Sequence, residues 1–174
     1  MKQIINFLML VMFVVIMNSC KPDNDFTTGP VQNRIEQLAG TWKLMSVTQV
    51  DLIATNNNFI DPSRPDVNLK QMDLTEAAPF RDITLTFSND AANVPSTFTA
   101  DYGNAPRIFR NTNGNWEVDD LTTPGQIRFI NGTDTIYTKL GAVNNLSAGL
   151  LTLQRIKSQG VKPVIQYNYN FQKN

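Results

Sequence analysis

Apolar residues along this chain recur at two spacings, and the shorter one dominates. Ile83, Leu85 and Phe87 alternate with Thr84 and Thr86, and Phe98, Ala100 and Tyr102 alternate with Thr99 and Asp101. A period of two, carried by β-branched and aromatic side chains, predicts strands with one buried face. Ile108 and Phe109 lead through Asn113-Gly114 to Trp116 and Val118, and residues 127–130 lead through Asn131-Gly132 to Ile136 and Tyr137. Asn-Gly between apolar runs predicts a tight hairpin, because both residues tolerate positive φ. Residues 150–156 form a further strand, and the last one alternates Ile165, Tyr167, Tyr169 and Phe171 with Gln166, Asn168, Asn170 and Gln172. Helical spacing shows only at Val31, Ile35, Leu38 and Ala39, with Gly40 as the expected stop. Residues 41–50 alternate imperfectly, with Trp42 and Leu44 on one face and Met45 and Val47 on the other, which suits a strand covered on both sides at one end. Residues 51–80 hold Asn56, Asn57, Asn58, Pro62, Pro65 and Pro79 and read as a long loop, with a short helix over 69–77.

Eight or nine strands in sequential order, joined mainly by short turns, leave no room for the crossovers that parallel pairing needs. An antiparallel sheet of that size has two edges to hide, and closure removes both. The expected fold is therefore all-β, an antiparallel up-and-down barrel of about eight strands over residues 31–174, preceded by a short helix. The interior of such a barrel is either filled by side chains or just wide enough for one small ligand, and the pattern leaves both open.

One apolar run lies outside this scheme. Residues 4–17, behind Lys2, are short of the about 20 that a membrane span needs and end in small and polar residues. They read as a signal peptide over 1–19 rather than as an uncleaved anchor helix. Met17, Asn18, Ser19 and Cys20 resemble a bacterial lipobox. The resemblance implies cleavage before Cys20, lipidation of Cys20 by palmitate-type acyl chains, and a polar tether over residues 20–30. Lys21 stands where enterobacterial inner-membrane lipoproteins carry Asp, and residues 21–25 resemble the export signal of surface lipoproteins in Bacteroidota, although a solvated linker explains them equally. The implied location is the cell envelope, on the outer membrane through the lipid at Cys20, facing either the periplasm or the cell surface.

Composition narrows the chemistry. The chain has no histidine and one cysteine, which excludes a Ser-His-Asp relay, a Cys-His pair and a His-ligated zinc within it. Fifteen Lys plus Arg balance fifteen Asp plus Glu, so no basic field speaks for nucleic acid. Asp119 and Asp120 are sequence neighbours, which on a strand point to opposite faces and cannot act as a paired acid and base. Asn111, Asn113 and Glu117 lack the order of Asp residues that a calcium loop requires. Asp134-Thr135-Ile136 matches a short O-glycosylation pattern of Bacteroidota, a permissive one that also arises by chance. The expectation is a non-enzyme with no cofactor and no metal.

Residues 38–44, Leu-Ala-Gly-Thr-Trp-Lys-Leu, resemble the G-x-W motif that opens the first strand of lipocalins directly after a short helix. A second copy at Gly114, Asn115 and Trp116, together with the lipobox, is similar to the lipocalin-like lipoproteins of Bacteroidota, many without an established activity. The resemblance covers about residues 34 to 173. It implies that Trp42 closes one end of the barrel and packs against an Arg late in the chain, for which Arg155, in the penultimate strand, is the candidate, both in structural roles. It places residues 51–80 as a lid, with Phe59, Ile60, Leu69, Met72 and Leu74 covering an apolar ligand or merely patching the barrel end. A cavity, if open, would be lined by Phe87, Phe98, Tyr102, Tyr167, Tyr169 and Phe171. Two functions follow. One is non-catalytic binding of a small apolar or amphipathic ligand in the barrel. The alternative is an envelope accessory protein with a filled barrel, docking another protein or a glycan on aromatics such as Trp116.

Overall fold

The structure is a computed structural model that describes residues 33–64, 68 and 70–174. The expected signal peptide over 1–19, Cys20 and the expected tether over 20–30 lie outside the described residues, as does Leu69. Helix α1 (Arg34–Leu38) is capped by Asn33, whose Oδ1 accepts from Glu36 N at 3.1 Å. Then come β1 (Gly40–Asp51), α2 (Leu52–Asn56), β2 (Gln71–Asp73), a 3-10 turn (Phe80–Asp82), β3 (Thr84–Asn89), β4 (Pro95–Asp101) and β5 (Asn113–Val118). They are followed by β6 (Gln126–Asn131), β7 (Asp134–Leu140), a second 3-10 segment (Val143–Ala148), β8 (Leu150–Gln159) and β9 (Lys162–Lys173).

Every pairing is antiparallel, in the order β1-β3-β4-β5-β6-β7-β8-β9, and β9 returns to β1. Eight strands thus close an up-and-down barrel, as the run of sequential strands predicts, and β2 is added beside the far half of β1. The uneven alternation in β1 has a local cause. A bulge between Leu44 and Ser46 inserts one residue against β9, so that Trp42, Leu44 and Val47 all point inward and Met45 is exposed. Between its pairing with β3 and with β2, β1 is completed by other partners. Leu44 N donates to Ile83 O, Leu74 N donates to Val47 O, and Val47 N donates to the hydroxyl of the buried Thr75 at 3.1 Å.

Three expectations change. In place of the helix expected over 69–77, the described residues 70–77 hold β2 and turns, because Asp73 Oδ1 takes both the N–H and the hydroxyl of Thr75 and folds the chain back. Asn113-Gly114 is no hairpin turn but the start of β5. Gly114 lies opposite Phe98 with φ +145°, and a Cβ there would meet Ile130 O at 2.1 Å, so the glycine serves close strand approach. Gly40 is not a helix cap but opens β1 at φ +118°, beneath Lys173. The second hairpin does form, but its two-residue turn is Gly132-Thr133, one residue beyond the expected Asn131-Gly132: Asn131 is the last strand residue, paired with Asp134, and Gly132 takes φ +59°.

The bottom of the barrel is shut by α1 and by residues 143–148, which bury Ile35, Leu38 and Leu146. Trp42 Nε1 donates to Leu38 O at 2.8 Å. The cation over Trp42 is Lys173, 5.3 Å from the ring centroid and bonded to Gln37 O at 2.9 Å. Arg155 is not there. It sits in β8, over Phe109. The last strand thus supplies the closing cation, and it is a lysine.

Candidate functional site

Inside the barrel the space is occupied. Phe129, fully buried, has Phe98 and Phe109 at centroid distances of 4.8 and 4.9 Å and Phe87 at 5.9 Å. Trp116 packs on Phe87 at 5.0 Å and donates its indole N–H to Ser88 O. Phe171 is as deeply buried as these. Phe87, Phe98 and Phe171 therefore belong to a packed interior and line no cup, and Trp116 offers no face for docking.

Phe109 comes from the β4–β5 connection, where the Asn113-Gly114 signal had suggested the first arm of a hairpin. Residues 102–112 instead fold down into the mouth of the barrel as a plug. Ile108, Phe109 and Asn111 are buried, and the Tyr102 hydroxyl accepts from Phe109 N and donates to Phe109 O, both at 3.3 Å. The plug is tied on two further sides. Asn111 Nδ2 reaches Asp134 O at 3.5 Å, and Arg155 donates to Ile108 O.

Above the plug, β8 and β9 continue as a long ribbon, and their inward parity changes character. On β8 it runs Leu151, Leu153, Arg155, Lys157, and on β9, read in the same direction, Phe171, Tyr169, Tyr167, Ile165. The lower members are core, whereas the upper pairs set Arg155 against Tyr167 and Lys157 against Ile165. Between this wall and the plug lies a cleft of about 290 Å³, lined by Phe80, Pro106, Arg107, Ile108, Arg155, Ile156, Lys157, Tyr167 and Tyr169. Tyr167 and Tyr169 are stacked with centroids 6.4 Å apart, and Lys157 Nζ lies 5.4 Å from the Tyr167 centroid.

The electrostatics of the cleft are one-sided. Its lining contains three cations and no carboxylate. Among the described residues the ion pairs are Arg64 with Asp61, Arg81 with Glu76 and Arg128 with Glu117, so none of the three cleft cations is ion-paired. Asp51, on the same rim, spends its carboxylate capping α2 through Ile53 N and Ala54 N. Burial pushes the Tyr169 hydroxyl above its ordinary value, against the opposing pull of Arg155. Tyr102 is raised by the same cause, held back by its bond to Phe109 and by Arg107 and Arg155.

A family model described as a domain of unknown function, DUF5004, matches residues 17–172. The chain belongs to this family. No curated protein matches the sequence. In this DUF5004 chain, then, the site stands on geometry alone.

Of the residues singled out from sequence, the structure brings Tyr167, Tyr169 and Arg155 into the cleft and uses Tyr102 to hold the plug. Phe59, Ile60 and Met72 stay out, at 50%, 57% and 58% exposure, and Leu74 packs on the core, so among the described residues of the 51–80 segment the cleft takes Phe80 and none of the expected lid residues. Arg107, Lys157 and Phe80 were missed in the sequence reading. The signal for Lys157 was present in the β8 alternation, whereas nothing marks Arg107 in a loop. Asp119 and Asp120 organise a turn. Asp119 Oδ1 accepts from Gly125 N and Gln126 N, and Asp120 Oδ1 from Thr122 N and Thr123 N. Among the described residues no three Cys, Asp or Glu side chains gather as a metal cage.

Proposed function

We propose that this protein is a non-catalytic binding module of the bacterial cell envelope, tethered to the outer membrane by lipid on Cys20, with its ligand seat at the barrel mouth. The filled interior carries the reading, because binding then falls to the barrel mouth, where the cleft over the plug offers an apolar hollow with convergent polar groups. A volume near 300 Å³ is the lower end of what small-molecule sites use. Stacked tyrosines, Ile108 and Phe80 supply the apolar wall that an amphipathic molecule needs, and tyrosine hydroxyls supply orientation. The anchoring rests on the lipobox-like 17–20 segment, and the likeness to lipocalin-like lipoproteins of Bacteroidota on the two G-x-W strands.

Native mass spectrometry of the full-length chain, before and after organic extraction, tests the reading. A stoichiometric small molecule, lost in Tyr169→Ala and kept in Phe59→Ala, supports it. Protein that carries no added mass, even after exposure to envelope extract, contradicts it. One observation favours a second reading, an accessory protein that docks another protein. Phe59, Ile60 and Met72 are exposed on one connection, and in that case Phe59→Ala is the variant that loses the partner.

A further inference from the structure

Resting on that proposed function, we infer that the mouth cleft selects a small amphipathic anion, its apolar body laid against Tyr167 and Ile108 and its charged head held among Arg107, Arg155 and Lys157. The shared chemistry is a carboxylate, sulfonate or phosphate monoester on an apolar stem. Three observations carry it. First, the inward positions of β8 that would continue the Leu151 and Leu153 stripe are Arg155 and Lys157. A barrel wall that had only to fill its mouth would continue the apolar stripe there, whereas half-buried Arg155 and exposed Lys157 set two cations along the wall of the cleft.

Second, the partners present are incomplete. Arg155 uses its guanidinium on the single acceptor Ile108 O and on the face of Phe109, although it carries five donors. Lys157 has the face of Tyr167, and Arg107 is exposed at the opposite lip. Third, the lining has no Asp or Glu, so the three charges add in one field, which a concave low-dielectric wall concentrates. A neutral apolar ligand would leave those donors as they are, whereas an anionic head completes them.

The test is isothermal titration calorimetry of the full-length chain with two probes of one ring system, 1-anilinonaphthalene-8-sulfonate and neutral N-phenyl-1-naphthylamine. The sulfonate is expected to bind one per chain and about tenfold tighter than the neutral ring, the value of one charge-assisted hydrogen bond. R107Q/K157Q, which alters two exposed side chains, is expected to reduce sulfonate affinity about tenfold or more, and by a larger factor than it changes affinity for the neutral probe. Equal affinities, untouched by R107Q/K157Q, overturn charge selection while leaving the binding function standing. Failure of both probes removes the binding function as well. Decanoate and phosphatidylglycerol vesicles, each compared between wild type and R107Q/K157Q, separate the sources: an R107Q/K157Q-sensitive signal from decanoate assigns a free amphiphile, from vesicles a lipid head, and from neither it counts against the inference.

Discussion

Truncating Phe129 to alanine measures how full the barrel is. The ring is completely buried and has three aromatic neighbours within 6 Å, two of them below 5 Å. Removing a buried Phe side chain costs about 3 to 5 kcal/mol where the surroundings cannot collapse. Each aromatic pair adds roughly 0.5 to 1.5 kcal/mol beyond the area it buries. Phe129 stands on a strand paired on both sides, so its neighbours are held in place and the upper half of the range, about 4 to 5 kcal/mol, is expected. The assay is equilibrium urea unfolding followed by tryptophan fluorescence, with m compared between variant and parent. Since a domain has only about 5 to 15 kcal/mol in total, Phe129→Leu serves as the milder companion, at about 1 to 2 kcal/mol. In a solvent-filled cup the ring would already meet water, and its loss would cost little. A Phe129→Ala cost below about 2 kcal/mol with unchanged m would refute the packed interior.

The remaining expectations concern the joints of the fold. Thr75→Val keeps the shape but strips the acceptor from Val47 N–H inside β1, and should cost about 1 to 3 kcal/mol by the same unfolding assay. Lys173→Met loses the contact over Trp42 and the bond to Gln37 O, and should cost about 1 to 2 kcal/mol with a shifted tryptophan emission. Arg155→Met frees Ile108 O, so hydrogen exchange should quicken over residues 102–112 while α1 keeps its protection. Acid should destabilise the protein in a definite window. Thr75 holds Asp73, and the backbone N–H groups of Thr123 and Thr122 hold Asp120, below the ordinary aspartate value of 3.8. Burial raises Asp119, but hydrogen bonds from Gln126, Gly125 and neighbouring N–H groups outweigh it, and it too is lowered. A folded-state value below the unfolded one adds stability above the unfolded value and loses it as pH falls through the folded one. Midpoints of urea unfolding should therefore be flat from pH 7 to 5 and drop below about pH 4, and less so in Asp119→Asn.

Strand order and closure were legible because they rest on a local signal. Thr84 to Phe87 and Ile165 to Phe171 each state their own period, and Gly132 marks the β6–β7 turn to within one residue. What could not be read depends on partners distant in sequence. The bulge at Leu44 and Ser46 shows only against β9, and it makes the β1 pattern look two-sided. Gly114 has the composition of a turn, yet its role is set by Ile130 across the sheet. Phe109 looks like part of a strand because an apolar plug residue and a strand residue are equally hydrophobic; only the Tyr102 hydroxyl and Arg155 decide between them. The lysine over Trp42 escaped because the lipocalin pattern supplies arginine there. The cleft was half legible. Tyr167 and Tyr169 carry an aromatic stripe, but that Arg155 and Lys157 share its side of the wall follows from the β8–β9 register.

The central claim is that the mouth holds the ligand and the interior does not. Two-dimensional NMR of the full-length chain, titrated with 1-anilinonaphthalene-8-sulfonate, reads both regions at once, since the indole N–H of Trp116 reports the interior and that of Trp42 the closed end. The account predicts saturable shifts at the amides of Arg107, Ile108, Arg155, Lys157, Tyr167 and Tyr169, with both indole signals unmoved. Shifts centred on Trp116 and Phe129, with the mouth amides still, would place the ligand inside the barrel and contradict it.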